Sequence, residues 1–125
     1  MRRKRMSVVA FNERVQQNAQ HFAYYERIRA CLLSYKGVKS RSSIRCDSYR
    51  YKGKLIAKIA IGGHTLKLYL DAKVPEGMKV SKMEKGDVAA YKEVPLMLVL
   101  KSDVAVRKAQ AVIASMMEDK GIEKA

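Results

Sequence analysis

The side chains that could bind a metal or act as acids and bases are few and scattered. The only histidines, His21 and His64, have no cysteine, aspartate or glutamate at a spacing typical of a metal site. The only cysteines, Cys31 and Cys46, form no CxxC motif and are interpreted as small buried hydrophobic residues. No carboxylate pair indicates a general acid and base, and no GxSxG, Walker or GxGxxG motif is present. The sequence therefore predicts no metal site, no cofactor and no catalytic residue.

The chemistry that the composition favours is the binding of anions. The 125 residues include 26 Lys and Arg against 12 Asp and Glu, which gives a formal net charge of +14. Residues 1–54 hold 14 basic and 3 acidic side chains, a net charge of +11, and residues 55–125 hold 12 and 9, a net charge of +3. Such asymmetry is typical of proteins that bind nucleic acid, an anionic surface or an acidic partner, although a basic surface can also serve solubility alone.

Length and composition indicate one folded domain. At 48% hydrophobic residues, a chain of this size can form a core without disulfides or metals. We expect a basic flexible tail at residues 1–6, a single domain at 7–121 and a C-terminal tail at 122–125. No apolar run reaches the roughly 20 residues of a membrane span, and the apolar stretch after the basic start is too short for a signal peptide. We therefore expect a cytoplasmic protein.

Hydrophobic spacing predicts helices at both ends of this domain. A short helix is expected over residues 7–15. A second helix should begin after Asn18 and end at Gly37, since these residue types favour an N-cap and a left-handed C-terminus. The same argument predicts a final helix between Ser102 and Gly121.

A period of two predicts four strands between these helices. They are expected at residues 42–49, 55–61, 64–70 and 96–100, with turns at Lys52-Gly53 and Gly62-Gly63. Residues 74–85 should form a loop and residues 87–91 one helical turn. The predicted fold is α+β, with a small antiparallel sheet (a three-strand meander plus a fourth strand) and helices packed on one face.

A two-residue turn at Gly62-Gly63 would fix the register of its hairpin. Counting outward pairs Ile61 with His64, Ile59 with Leu66, Ala57 with Leu68 and Leu55 with Leu70 on one face, and Ala60 with Thr65, Lys58 with Lys67 and Ile56 with Tyr69 on the other. Two lysines directly opposite each other repel, and a bound anion would relieve that repulsion.

The lysine face would gain Arg45 and Tyr49 from the preceding strand, because these residues alternate with Ile44 and Cys46. Basic residues interleaved with aromatic ones suit both phosphates and stacked bases. The alternative is an ordinary solvated sheet face on which the lysines spread apart.

Several sequence stretches resemble an uncharacterised domain family common in Firmicutes. The resemblance rests on LLSYKGVKSR at Leu32–Arg41 with Ser43, Arg45, Asp47, Ser48 and Tyr49, on GHTLKLYLD at Gly63–Asp71, and on Tyr91, Val94-Pro95 and Lys101-Ser102. This family is similar to a broader domain of unknown function, labelled in places a predicted transport protein and sometimes attached to nucleases. The resemblance implies a compact α+β accessory module without established catalytic residues. The family usually has aromatic residues where Ile44 and Cys46 stand here.

We therefore hypothesise a non-catalytic module that binds nucleic acid, DNA or RNA, or another polyanion through its phosphates. The candidate contacts are a mobile arm of Arg2, Arg3, Lys4 and Arg5, and a structured set of Lys39, Arg41, Arg45, Tyr49, Lys58, Lys67 and Tyr69. The alternative is a protein interaction module for an acidic partner. An enzyme acting on a small molecule is not expected, because no group of side chains meets the requirements of an active site.

Overall fold

The computed structural model describes residues 11–62, 64–72, 94 and 96–125. Its helices are α1 (Phe11–Gln16), α2 (Ala19–Leu33) and α3 (Asp103–Lys120). Its strands are β1 (Val38–Ser42), β2 (Cys46–Tyr51), β3 (Lys54–Gly62), β4 (Thr65–Leu70) and β5 (Leu96–Val99). The strands form one sheet in the order β1-β2-β3-β4-β5, and every neighbouring pair is antiparallel. The predicted α+β class with a small antiparallel sheet is confirmed.

The sheet has one strand more than predicted. Residues 42–49 were expected to form a single strand, but β1 ends at Ser42, residues 43–45 turn the chain, and β2 begins at Cys46. The turn is closed by Ser43, whose backbone N–H donates to the Cys46 carbonyl at 2.8 Å and whose hydroxyl accepts from the Cys46 N–H at 3.2 Å. β1 therefore pairs with β2 as an edge strand, from Val38 opposite Tyr51 to Ser42 opposite Asp47.

Both long helices begin where the sequence predicts. The Asn18 side chain accepts from the His21 N–H at 3.0 Å, and the Ser102 hydroxyl accepts from the Ala105 N–H at 3.1 Å. Gly121 closes α3 with a φ of 71°, a left-handed conformation that glycine adopts at little cost. The end of α2 differs from the prediction, since the helix stops at Leu33 and Gly37 lies in the following turn.

The β3–β4 hairpin pairs two residues away from the predicted register. Ile61 lies opposite Leu66, and Gly62 lies opposite Thr65. Lys58 consequently lies opposite Tyr69, so the predicted Lys58–Lys67 pair is wrong. A slip of two residues leaves each side chain on its own face, and here it brings a leucine, instead of the polar and exposed His64, against Ile61 on the core side.

A bulge in β3 places Leu55 and Ile56 on other faces of the sheet than predicted. Tyr49 of β2 lies opposite Ala57 and Arg50 lies opposite Leu55, so Ile56 is the extra residue. A bulge of this kind reverses the alternation beyond it. Ile56 therefore joins Ala57 in the main core, and Leu55 turns to the opposite face, the reverse of the prediction for both residues.

The main core lies between the helices and one face of the sheet. Helix residues such as Ile28 and Ile113 pack there with Tyr49, Ile59 and Leu68. A smaller cluster lies on the other face, and we call it the helix-free cluster because no described helix contributes to it. Its members are Cys46, Leu55, Ala60, Tyr69, Val94 and Met97. The helices of the described part contribute only to the main core, which places them on one face of the sheet, as predicted.

The last four residues, expected as a tail, are hydrogen-bonded to the segment after α2. The Lys36 N–H donates to the Glu123 carbonyl at 2.8 Å, and the Ala125 N–H donates to the Ser34 carbonyl at 2.9 Å. Ile122 is buried in the main core. The expected tail at residues 1–6, the loop at 74–85 and the turn at 87–91 lie outside the described residues. Among the described helices, none has the length and apolar character required to cross a bilayer.

Candidate anion-binding face

Lys39 and Arg41 of β1 point away from the helices. Their neighbours on β1 identify the helix side, because Arg29 of α2 donates to the Ser40 hydroxyl at 3.1 Å and the Ser42 hydroxyl donates to buried Asp47 at 2.5 Å. Successive side chains of a strand point to opposite faces of the sheet. Lys39 and Arg41 therefore extend from the opposite face of the sheet, which we call the helix-free face because no helix of the described residues packs on it, and both are exposed.

Arg50 of β2 belongs to the same face. It lies directly opposite Lys39 in the antiparallel pairing, and directly opposite residues share a face. Both side chains are exposed. The repulsive pair expected between Lys58 and Lys67 thus exists between Lys39 and Arg50 instead.

A row across the strands adds Lys58. Arg41, Ser48, Lys58 and Tyr69 are consecutive partners on β1, β2, β3 and β4. Arg41 and Lys58 are two strand spacings apart, about 10 Å, and the Ser48 hydroxyl lies between them. Both long side chains can reach an anion placed above this serine.

Lys67 completes the group on the neighbouring row. It lies opposite Ala60, which in turn lies opposite Cys46, and both of these residues belong to the helix-free cluster. We call the five cationic residues of this side the basic face. They are Lys39, Arg41, Arg50, Lys58 and Lys67.

No acidic residue of the described part lies on the basic face. The eight acidic residues of that part lie on helices, on the helix side of the sheet or at the chain end: Glu13, Glu26, Asp47, Asp71, Asp103, Glu118, Asp119 and Glu123. Among the described residues, the charges of the two sides of the sheet are therefore segregated, and these residues give the basic face a positive potential.

Ion pairs show the same segregation. On the helix side, Arg27 pairs with Asp103, and Asp71 pairs with Lys120 at 2.7 Å and with Lys54 at 3.7 Å. Within the described ranges, no ion pair involves Lys39, Arg41 or Arg50. Three cations of the basic face can thus contact a ligand without breaking an ion pair of this kind.

Two of the predicted contact residues do not lie on the surface. Tyr49 is 0% exposed and belongs to the main core, and Tyr69 is 2% exposed within the helix-free cluster. Stacking of a base on either ring is incompatible with this burial, so the predicted aromatic contacts are wrong. The cause is the position of the turn at residues 43–45, which puts Tyr49 on the helix side.

The other predicted residues fall into two groups. Arg45 is exposed in the β1–β2 turn beside Ile44, which is 62% exposed. Arg2, Arg3, Lys4 and Arg5 lie outside the described residues. Sequence reasoning left Arg50 out of the candidate set. Arg50 lies in a stretch rich in basic residues, 36–54, which is the sequence feature that could have indicated it. Its pairing with Lys39 depends on β1, which the sequence did not predict as a separate strand.

Asp47 is the buried polar centre on the helix side. It is 0% exposed and accepts hydrogen bonds from the hydroxyls of Tyr25, Ser42 and Tyr49, while an Arg29 nitrogen lies 3.9 Å away. Burial, followed by the hydrogen bond to Asp47, raises the pKa of Tyr25 to about 12. Burial, followed by the Asp47 charge, also raises the pKa of Tyr49 above its ordinary value. This network joins α2 to β1 and β2 beneath the basic face.

No family model, curated protein or solved structure matches this chain. The resemblance to the Firmicutes domain family accordingly stays a prediction. Within the described residues, no group of three histidine, cysteine, aspartate or glutamate side chains could hold a metal ion.

Proposed function

We propose that this protein is a polyanion-binding module whose basic face contacts the phosphates of nucleic acid. The observation that carries the proposal is the segregation of charge across the sheet. Lys39, Arg41 and Arg50 are exposed on the side opposite the described helices, Lys58 and Lys67 are half-buried beside them, and no described acidic residue shares that side.

The contacts would be made mainly by charge. Arginine can donate two parallel hydrogen bonds to a phosphate, and lysine acts as a mobile point charge. Lys58 and Lys67 are half-buried on the sheet face that also carries the helix-free cluster. Such contacts position a nucleic acid without reading its bases.

The burial of Tyr49 and Tyr69 argues against base stacking as part of the proposed binding. Proteins that hold single strands commonly stack bases on exposed aromatic rings, and neither ring is available here. We therefore expect binding to duplex and single-stranded nucleic acid to follow charge density, with little dependence on sequence. A polyanion without bases, such as heparin, should compete.

A salt titration of binding tests the proposal. Fluorescence anisotropy with a labelled mixed-sequence duplex would be measured between about 50 and 200 mM salt, where counterion release makes affinity fall steeply. The variant K39Q/R41Q/R50Q removes three cations from the basic face. We expect it to bind at least about tenfold more weakly at 50 mM salt and to show a salt slope reduced by up to about 3.

The matched control is K101Q/R107Q/K108Q. It removes three exposed cations at the start of α3, outside the basic face, and changes the net charge equally. Binding by this control should stay close to that of the unchanged protein. Equal loss in both variants, or no binding by the unchanged protein at about 50 mM salt, would reject the basic face as the site.

A second candidate function is favoured by the position of β1. This strand is an edge of the sheet and carries exposed Lys39 and Arg41. An acidic extended peptide could pair with this edge and place its carboxylates near these cations. A pull-down after nuclease treatment separates the two candidates, because a bound acidic protein would persist while a complex bridged by nucleic acid would disappear.

A further inference from the structure

The two histidines of the chain, which the sequence placed far apart, line one pocket. His21 is in the first turn of α2, and His64 lies in the connection between β3 and β4. The pocket has a volume of about 170 Å³ and is lined by Arg14, Gln17, Asn18, His21, Ile61 and His64. Ile61 packs against the main core. The pocket therefore lies on the helix side of the sheet, opposite the basic face.

Local structure positions the donors of this pocket. The side-chain amide oxygen of Asn18 accepts a hydrogen bond from the His21 backbone N–H, which fixes the start of α2 and the His21 backbone. The positive end of the 15-residue helix lies at the same place. Arg14 and Gln17 come from α1 and the residue after it, so three separate segments converge on the pocket.

The side chains that line the pocket favour an anion over a metal ion. Two imidazoles alone could contact a metal ion, but Arg14 adds a fixed positive charge, and no carboxylate or thiol of the described residues lines the pocket. The side-chain amides of Gln17 and Asn18 supply neutral N–H donors. The volume equals that of several water molecules, at about 30 Å³ each, which is enough for a tetrahedral oxyanion.

We propose that this pocket is a binding site for a phosphate-sized oxyanion, taken either as a free ion or as the terminal phosphate of a nucleotide. Arg14 provides the permanent charge. A protonated histidine adds positive charge to such a pocket, and burial lowers the pKa of His21, so the affinity should rise at acidic pH. Among the described residues, the charged and titratable groups that line the pocket are Arg14 from α1, His21 from α2 and His64 from the hairpin.

Nuclear magnetic resonance of the histidine rings provides a direct test, because only two sets of ring signals exist. Sulfate is the first probe, since its charge does not change over this pH range. We expect sulfate to shift both sets of signals, and to bind about tenfold more tightly near pH 5.5 than near pH 7.5. Chloride at matched ionic strength should produce neither effect.

Three variants assign the effect to the pocket. H64Q should weaken the response of His21, and R14Q should lower sulfate affinity at both pH values. K101Q, which removes an exposed cation outside both the pocket and the basic face, should leave the sulfate response unchanged. Shifts that are identical in sulfate and chloride, or a sulfate response that survives both pocket variants, would overturn the proposal. Larger shifts with Zn²⁺ than with sulfate would overturn it in favour of a metal.

The source of the ion is decided with three further compounds. Inorganic phosphate is compared with a 5′-phosphorylated dinucleotide and with its unphosphorylated form. A response to the phosphorylated dinucleotide alone assigns a nucleotide end, and an equal response to phosphate assigns a free ion. No response to any phosphate-bearing probe would reject the site, whatever the result of the nucleic-acid titration on the basic face.

Discussion

Lys39 of β1 lies directly opposite Arg50 of β2, and both side chains are exposed on the sheet face opposite the described helices. Like charges in this position destabilise a sheet by a few tenths of a kcal/mol to about 1 kcal/mol. Two explanations are compatible with such a pair. The cations can bind an anion, or they can protect the edge strand from pairing with another chain.

The variant K39E distinguishes these explanations. A glutamate opposite Arg50 converts the repulsive pair into an attractive one, so we expect the free energy of unfolding to rise by about 0.5 kcal/mol. Nucleic-acid affinity should fall severalfold at low salt, because one phosphate contact is replaced by a repulsive charge. Urea denaturation and anisotropy titration measure the two effects.

The control for this variant is K101E, which makes the same charge change away from the basic face. It should alter stability little and affinity less than K39E. Equal weakening by both variants would mean that net charge, and not the Lys39–Arg50 pair, governs binding. Unchanged binding in K39E would leave protection of the edge as its role.

A second prediction concerns the buried tyrosine that the sequence placed on the binding surface. Y49F removes the hydroxyl that donates to Asp47 at 3.2 Å, so we expect a loss of about 1 kcal/mol in the free energy of unfolding. Nucleic-acid affinity should not change, because the ring is enclosed by the core. Weaker binding by a Y49F protein that remains folded would show that the ring contacts the ligand after all.

A third prediction concerns the buried carboxylate itself. D47A leaves the hydroxyls of Tyr25, Ser42 and Tyr49 without their acceptor and Arg29 without its nearest carboxylate. Because Tyr25 and Tyr49 are buried and each buried unsatisfied group costs about 1–3 kcal/mol, we expect a loss of at least about 2 kcal/mol, measured by chemical denaturation. S48A, which removes a hydroxyl from the opposite face of β2, should cost less than 1 kcal/mol, roughly the value of a partly exposed hydrogen bond.

The sequence predicted the turn between β2 and β3 better than the edge strand β1. The turn at Lys52-Gly53 was predictable, because both residues adopt positive φ, at 51° and 82°, and glycine signals this conformation. β1 was not predictable from alternation. Its inward positions include Ser40 and Ser42, whose hydroxyls bond to Arg29 and Asp47, so the strand lacks the apolar period of a core strand.

The candidate site shows the same limit. Its charge was evident from composition, but the pairs that form it depend on register. Lys39 meets Arg50 only because β1 exists, and Lys58 is separated from Lys67 because the hairpin pairs Gly62 with Thr65. His21 and His64 line the same pocket only in the folded chain, and no spacing in the sequence encodes that proximity.

The last prediction concerns alkaline pH and Tyr25. Burial and the hydrogen bond to Asp47 raise the pKa of Tyr25 to about 12, above the 10.0 of an exposed tyrosine. Between these values the folded protein retains a proton that the unfolded chain releases. The stabilising contribution of Tyr25 is therefore complete below pH 10 and is lost as the pH rises toward 12. We expect the free energy of unfolding to fall more steeply over this interval in the unchanged protein than in Y25F, which has no proton to release at this position. Urea denaturation at several pH values measures the two slopes, and absorbance of tyrosinate reports the titration directly.

Y24F is the control, since it removes a tyrosine from the neighbouring position of α2 and should keep the steeper slope. Equal slopes in the unchanged protein and Y25F would show that Tyr25 ionises equally in the folded and unfolded chains, and would remove it from the Asp47 network.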